Sequence, residues 1–172
     1  MTPLKLNLGC GGKVLAGFQN YDNLSMPHHG KGVDGVNYMD LKKLPWHFES
    51  DSVDEVLMWD VLEHLPDLDG TLTEIKRILK PGGLFWGQVP YGPHANVQMV
   101  CWQHCHTFVP KTFSLSIAED FGFETVEVKC VSWKHTWQQK LRNLVPFRSV
   151  LAEAGWTIAF DNIEFKLRKP SS

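Results

Sequence analysis

The chain has 172 residues, 43% hydrophobic and 21% charged, with a formal net charge of −2 at pH 7. That length supports one full hydrophobic core and leaves too little for two, so residues 1–172 read as a single domain. The small negative charge argues against general affinity for a nucleic-acid backbone, and no apolar run reaches the about 18–20 residues of a membrane span. The start Met1-Thr2-Pro3 lacks the regions of a signal peptide, which makes a cytoplasmic protein the expectation.

The first element is Leu4-Lys5-Leu6-Asn7-Leu8, a strand over 4–8 that opens onto Gly9-Cys10-Gly11-Gly12. A glycine turn at the carboxyl end of a strand lets backbone N–H groups approach a ligand, and open α/β sheets bind at that edge. A second strand over 18–22 ends in Asp22, and a third over 36–40 ends in Asp40. A strand-end carboxylate can accept from both hydroxyls of a ribose, which makes Asp22 the ribose candidate. Near Asp40 a carboxylate or carbonyl can accept from an adenine amino group while Leu41 offers an apolar face; ordinary turn chemistry is the alternative for both aspartates.

Gly9 and Asp22 are 13 residues apart, short of the about 20 usual between such a glycine and its ribose acid. No full helix fits there, so the stretch from Gly11 to Gly17 is expected as a tight loop. Residues 25–35, with Pro27, His28 and His29, read as another loop.

A fourth strand over 53–59 leads through Trp59-Asp60 into Leu62-Glu63-His64. Leu72, Ile75, Ile78 and Leu79 share one face of a helix over 67–79, which Gly82-Gly83 past Pro81 is expected to stop. Strands over 84–90, 124–132 and 157–168 and helices over 111–121 and 137–153 complete the pattern. Cys10, Cys101, Cys105 and Cys130 form no C-x-x-C pair and are read as reduced thiols, Cys10 being a small residue in the glycine turn. Residues 1–128 hold 9 Lys/Arg against 16 Asp/Glu, a balance of −7, and residues 129–172 hold 8 against 3, a balance of +5. The basic end suggests an anionic substrate or partner, or simply a solvated face.

In order and spacing these pieces resemble the class I S-adenosylmethionine-dependent methyltransferases, from about Leu4 to Lys169. Leu6 to Gly12 is similar to that family's first motif, whose glycines contact the methionine part of the cofactor, and Leu79-Lys80-Pro81-Gly82-Gly83 to its most recognisable phrase. The implied fold is α/β and Rossmann-like, a mostly parallel seven-stranded sheet of order 3-2-1-4-5-7-6 with an antiparallel last strand. Shortened or missing helices are expected between strands 1-2 and 2-3. The implied cofactor is S-adenosylmethionine, bound by Asn7, Gly9, Cys10, Gly11, Asp22, Asn23, Asp40, Leu41, Trp59, Asp60 and His64. The implied activity is methyl transfer to an O or N acceptor on a small molecule or sugar-like substrate. Only three residues precede the first strand, where relatives often carry substrate-covering helices, so an open or partner-covered site is expected.

The reaction is an in-line attack on a sulfonium methyl, and the protein must align donor and acceptor and remove a proton. His94, Cys101, His104, Cys105 and His106 follow the fifth strand, with His106 or His104 the candidate base and Asp60 or His64 the reserve. Capping or packing is the alternative for these histidines. Asp60-Val61-Leu62-Glu63-His64 also resembles the acid-x-x-Glu-His element of metal-assisted methyltransferases, in which a later histidine completes the site. Leu-Glu-His occurs in metal-free relatives too, Glu63 can begin a helix, and the later Cys/His cluster is crowded for zinc, so no metal is assigned. The apolar segment 133–156 is a candidate for core packing, a lid, a homo-oligomer contact or a covering partner. Two competing readings are a nicotinamide oxidoreductase, disfavoured by Val14 at the place of a third glycine, and a non-catalytic binding module on the same fold.

Overall fold

The structure, a computed structural model, describes residues 2–23, 33–92, 103–131 and 161–171. His94, Cys101, the helix expected over 137–153, the 133–156 segment and most of the loop expected over 25–35 lie outside the described residues. One sheet holds β1 (Lys5–Leu8), β2 (Gln19–Asp22), β3 (Val36–Tyr38), β4 (Val53–Trp59), β5 (Leu79–Pro90), β6 (Glu124–Val131) and β7 (Asn162–Arg168), in the order β3-β2-β1-β4-β5-β7-β6. The first five strands pair in parallel, and β7 runs antiparallel to both β5 and β6. This is the Rossmann-like order expected from the sequence, and it gathers the carboxyl ends of β1 to β5 on one edge.

Leu6, Leu8, Val56 and Met58 are fully buried, as central parallel strands covered on both faces require. A Cβ at Gly87 would lie 1.7 Å from the Met58 carbonyl oxygen, so only glycine lets β5 seat against β4 here. Leu72, Ile75 and Ile78 bury one face of α1 (Leu68–Ile78), and Asp67 caps its start by accepting from the Gly70 N–H at 2.9 Å.

Three boundaries differ from expectation. The helix ends at Ile78 with Leu79 already extended, because Lys80 precedes Pro81 and the residue before a proline is steered out of the helical region. The Leu79 to Gly83 phrase opens the next strand, as expected of it, but lies wholly within β5 and takes no part in α1. β3 stops at Tyr38, where the Met39 N–H donates to the Asp22 carbonyl and the chain turns. The helix expected over 111–121 is a π-helical stretch, Thr112–Ile117, running into α2 (Ala118–Phe121), and Gly122 closes it at φ 62°. Its Phe113 stacks on Phe165 of β7 at 4.2 Å, tying this layer to the sheet. No helix among the described residues is long and apolar enough to cross a membrane.

Candidate functional site

Between β1 and β2 the chain makes turns only, as the short spacing demanded. Gly9 takes φ 70° and Gly11 φ 55°. At Gly9 the left-handed backbone coincides with a close approach, since a Cβ there would lie 2.6 Å from a Val61 methyl in the turn after β4. The N–H groups of Gly9 and Cys10 both donate to the Tyr21 carbonyl of β2, at 2.9 and 3.0 Å.

Two buried amides hold the rest of this loop. Asn7 Nδ2 donates to the Lys13 carbonyl at 2.9 Å and to Asn20 Oδ1 at 2.8 Å. Asn20 Oδ1 also accepts from the Leu15 N–H at 2.9 Å, and its Nδ2 donates to the Leu15 and Phe18 carbonyls. A stretch without helical hydrogen bonds must find other partners for its backbone, and these two side chains supply them. Asn7 is thus committed to the loop and is not among the residues lining the cleft. Asn20 escaped sequence reasoning because a polar residue inside a short strand looks no different from any other.

The cleft itself measures about 790 Å³ and follows the carboxyl ends of β1 to β4. Gly9, Cys10, Gly11, Asp22 and Asn23 line one end, Asp40 and Leu41 a second stretch, and Trp59, Asp60 and His64 a third. Asp22 is buried and its Oδ2 accepts from the Gly11 N–H at 2.9 Å, so the strand-end acid and the glycine loop form one corner. Asp40 also carries the turn chemistry weighed for it: Oδ1 accepts from the Lys42 N–H at 3.2 Å and its carbonyl from the Lys43 N–H at 3.1 Å. The Cys10 thiol is pushed up to about 11, chiefly by burial and further by the negative charge of Asp22, so it is protonated at neutral pH and no nucleophile. Lys13, Met39 and Leu65 also line the cleft and carried no signal in the sequence.

The corner after β4 has a different character. Asp60 adopts φ 56°, its N–H donates to the Gln88 carbonyl at 2.9 Å, and its carboxylate accepts from Gln88 Nε2 at 3.0 and 3.3 Å. Burial raises its carboxyl above the usual range, and the hydrogen bond from Gln88 partly offsets this. Leu62–His64 form a single 3₁₀ turn. Glu63 is 1% exposed, and burial pushes its carboxyl up to about 8. Its carbonyl accepts from the N–H groups of Cys105 and His106, which docks the segment after β5 against this turn.

Of the two favoured histidines, neither lines the cleft. His106 Nε2 lies 2.9 Å from the Leu65 carbonyl, which can only accept, so that nitrogen carries the proton and holds the turn. His104 packs its ring 4.8 Å from that of His64, and burial lowers its pKa. Lys129 and Lys169, from the basic end, are in ion pairs with Glu164 at 3.0 Å and Asp51 at 2.6 Å, as a structural use of those charges requires.

Residues 6–87 match the family model described as a methyltransferase domain. No curated protein matches the chain. A complex between the Haloferax volcanii Trm112 methyltransferase activator and a methyltransferase superposes with a TM-score of 0.68 at 20% identity, covering 98% of this chain and 83% of that one. Haemonchus contortus phosphoethanolamine N-methyltransferase 2, in complex with S-adenosyl-L-methionine, gives 0.65 at 20% identity, covering 98% of this chain and 49% of that one. The [4+2]-cyclase SpnF gives 0.63 at 17% identity, covering 99% and 76%. Residues 6–87, just under half of the chain, are thus similar to a methyltransferase domain, a family whose members use S-adenosylmethionine as methyl donor.

Proposed function

We propose that the donor lies across the carboxyl ends of β1 to β4 and that its methyl passes to an oxygen or nitrogen nucleophile of a small-molecule or sugar-like acceptor. The observation that carries this reading is the corner in which the Gly11 N–H meets Asp22 Oδ2, at one end of a cleft that Asp40 and Leu41 continue. A volume of about 790 Å³ lies within the roughly 300–1,000 Å³ of pockets for ligands of this size. In this reading the loop from Gly9 to Gly11 takes the methionine part, Asp22 with Asn23 the ribose hydroxyls, and Asp40 with Leu41 the adenine. Trp59 and His64 border the end where the methyl is presented.

The bound donor supplies an electrophilic methyl on a sulfonium. Held along Gly9, Gly11, Asp22 and Asp40, it would offer that methyl to the acceptor, whose proton would pass to a protein base. Asp60 is the base of choice: it lines the cleft, and a left-handed backbone and Gln88 fix its carboxylate. His104 and His106 then act behind the wall rather than on the acceptor. The N-methyltransferase among the similar structures supports a nitrogen acceptor as one option. The cyclase is the counterweight, because the same fold hosts chemistry other than methyl transfer. A homo-oligomer or covering partner remains part of the reading, supported by the activator complex among the similar folds.

Calorimetry tests the cofactor pose. S-adenosylhomocysteine is expected to bind with micromolar affinity and NAD not at all. Asp22→Ala should weaken that binding about 100-fold, equivalent to about 2.7 kcal/mol. Unchanged affinity in Asp22→Ala overturns the pose, and binding of NAD in place of S-adenosylhomocysteine overturns the function.

A further inference from the structure

We propose that Glu63, His64 and His104 form a binding site for a divalent ion of the zinc class, at the junction where the turn after β4 meets the segment after β5. One ligand atom from each lies within 4.8 Å of the others. The resemblance read from the sequence joined Asp60, Glu63 and His64 to a later histidine, but the Asp60 carboxylate accepts from Gln88 Nε2 and is not part of this cluster.

What distinguishes the cluster from an accidental one is its unsatisfied atoms. Glu63 Oε2 and His104 Nδ1 are both buried without a hydrogen-bond partner, and among the described residues they are the buried side-chain oxygen and nitrogen left in that state. A buried polar atom without a partner forfeits the hydrogen bonds it made to water and gains none in return. The residues that carry these two atoms are the same ones whose ligand atoms gather within 4.8 Å. A divalent cation bound among them would give a carboxylate and an imidazole the partners they lack. One carboxylate with two imidazoles suits zinc and its first-row neighbours better than Mg²⁺ or Ca²⁺, which favour all-oxygen shells.

The backbone presets the arrangement. The Cys105 N–H donates to the Glu63 carbonyl at 2.7 Å, and His106 Nε2 donates to the Leu65 carbonyl at 2.9 Å. These bonds fix the chain immediately after His104, whose ring lies 4.8 Å from that of His64. Because His64 also lines the cleft, the ion fixes one wall of the acceptor side and pins the segment after β5 to the sheet edge. The site does not depend on which acceptor is used.

Titration of the metal-stripped full chain with Zn²⁺ in a calorimeter should show one ion per chain. Glu63→Gln and His104→Ala should each weaken it at least about tenfold. Cys105→Ser should leave it unchanged, which separates this site from a thiol site at the cleft rim. Co²⁺ in place of Zn²⁺ should give a visible absorption band that disappears in His104→Ala, and circular dichroism reports whether each variant is folded. No saturable Zn²⁺ binding by the wild-type chain overturns the proposal. So does binding that survives His104→Ala, or binding lost in Cys105→Ser alone.

Discussion

The corners after β1 and after β4 lie side by side on one cleft and are built on opposite plans. From Gly9 to Asn20 the loop has no helix, yet its polar groups answer one another: N–H groups to the Tyr21 carbonyl and to Asp22, carbonyls to Asn7 and Asn20. From Asp60 to His64, joined by His104 to His106, the structure buries titratable side chains and leaves Glu63 Oε2 and His104 Nδ1 without partners. A loop held by so many internal hydrogen bonds is suited to holding a ligand. An unsatisfied cluster stores free energy that an ion or proton can release. Cradle and reactive wall are in this way divided between two corners, and substitutions in each should fail differently.

Gly9→Ala should break the first corner most severely. It adds a left-handed alanine, at about 1–2 kcal/mol, and drives its Cβ to 2.6 Å from a Val61 methyl. A total loss near 3 kcal/mol is expected in denaturant unfolding, with S-adenosylhomocysteine binding lost as well. Val61→Ala in the same chain should recover part of the stability, and no recovery would mean that the contact is not the cause.

Asn20→Ala comes next. It removes a buried amide that serves the Leu15 N–H, two carbonyls and Asn7, for an expected cost of about 2 kcal/mol. Its signature is a weaker cofactor with turnover at saturation little changed. A lower saturated rate with intact affinity would move Asn20 out of the loop's support and erase the contrast between the corners.

The sheet and most of the cleft lining were legible because they rest on local signals. Apolar runs mark the strands, and glycines and aspartates mark their ends, so Gly9, Gly11, Asp22, Asp40 and Asp60 could be placed on one edge without coordinates. Asn20, Gln88 and the choice of His104 as the later histidine beside Glu63 were not legible, because each depends on a partner 13 to 41 residues away. The histidines show the limit most clearly. His106 looked catalytic by type and position, while its role is set by the Leu65 carbonyl, which no spacing rule reveals.

Two buried glutamates extend the comparison beyond the cleft. Glu63 sits without a partner for Oε2 and is pushed up, whereas Glu74 accepts from Arg77 Nε at 2.8 Å and from the Trp46 N–H at 2.7 Å and is held below its ordinary 4.5. A lowered carboxyl binds protons more readily in the unfolded chain, so the Glu74 contribution is present above 4.5 and lost as the pH falls through the lower folded value. Glu74→Gln should cost about 1–2 kcal/mol at pH 7 and progressively less as the pH is lowered below 4.5. An equal cost at pH 7 and in acid would assign the effect to shape rather than charge.

His106 separates support from chemistry at the second corner. Because Nε2 already donates to the Leu65 carbonyl, the residue holds the segment carrying His104, and the ring rests 6.4 Å from that of Phe108. His106→Ala should cost about 1 kcal/mol through the lost bond and contact. His106→Gln can still donate to the same carbonyl and should recover turnover, which no amide would do for a base that must accept a proton. If Gln is as inactive as Ala while both stay folded, His106 works on the acceptor, and the division of labour between the two corners has to be redrawn with the base on the segment after β5.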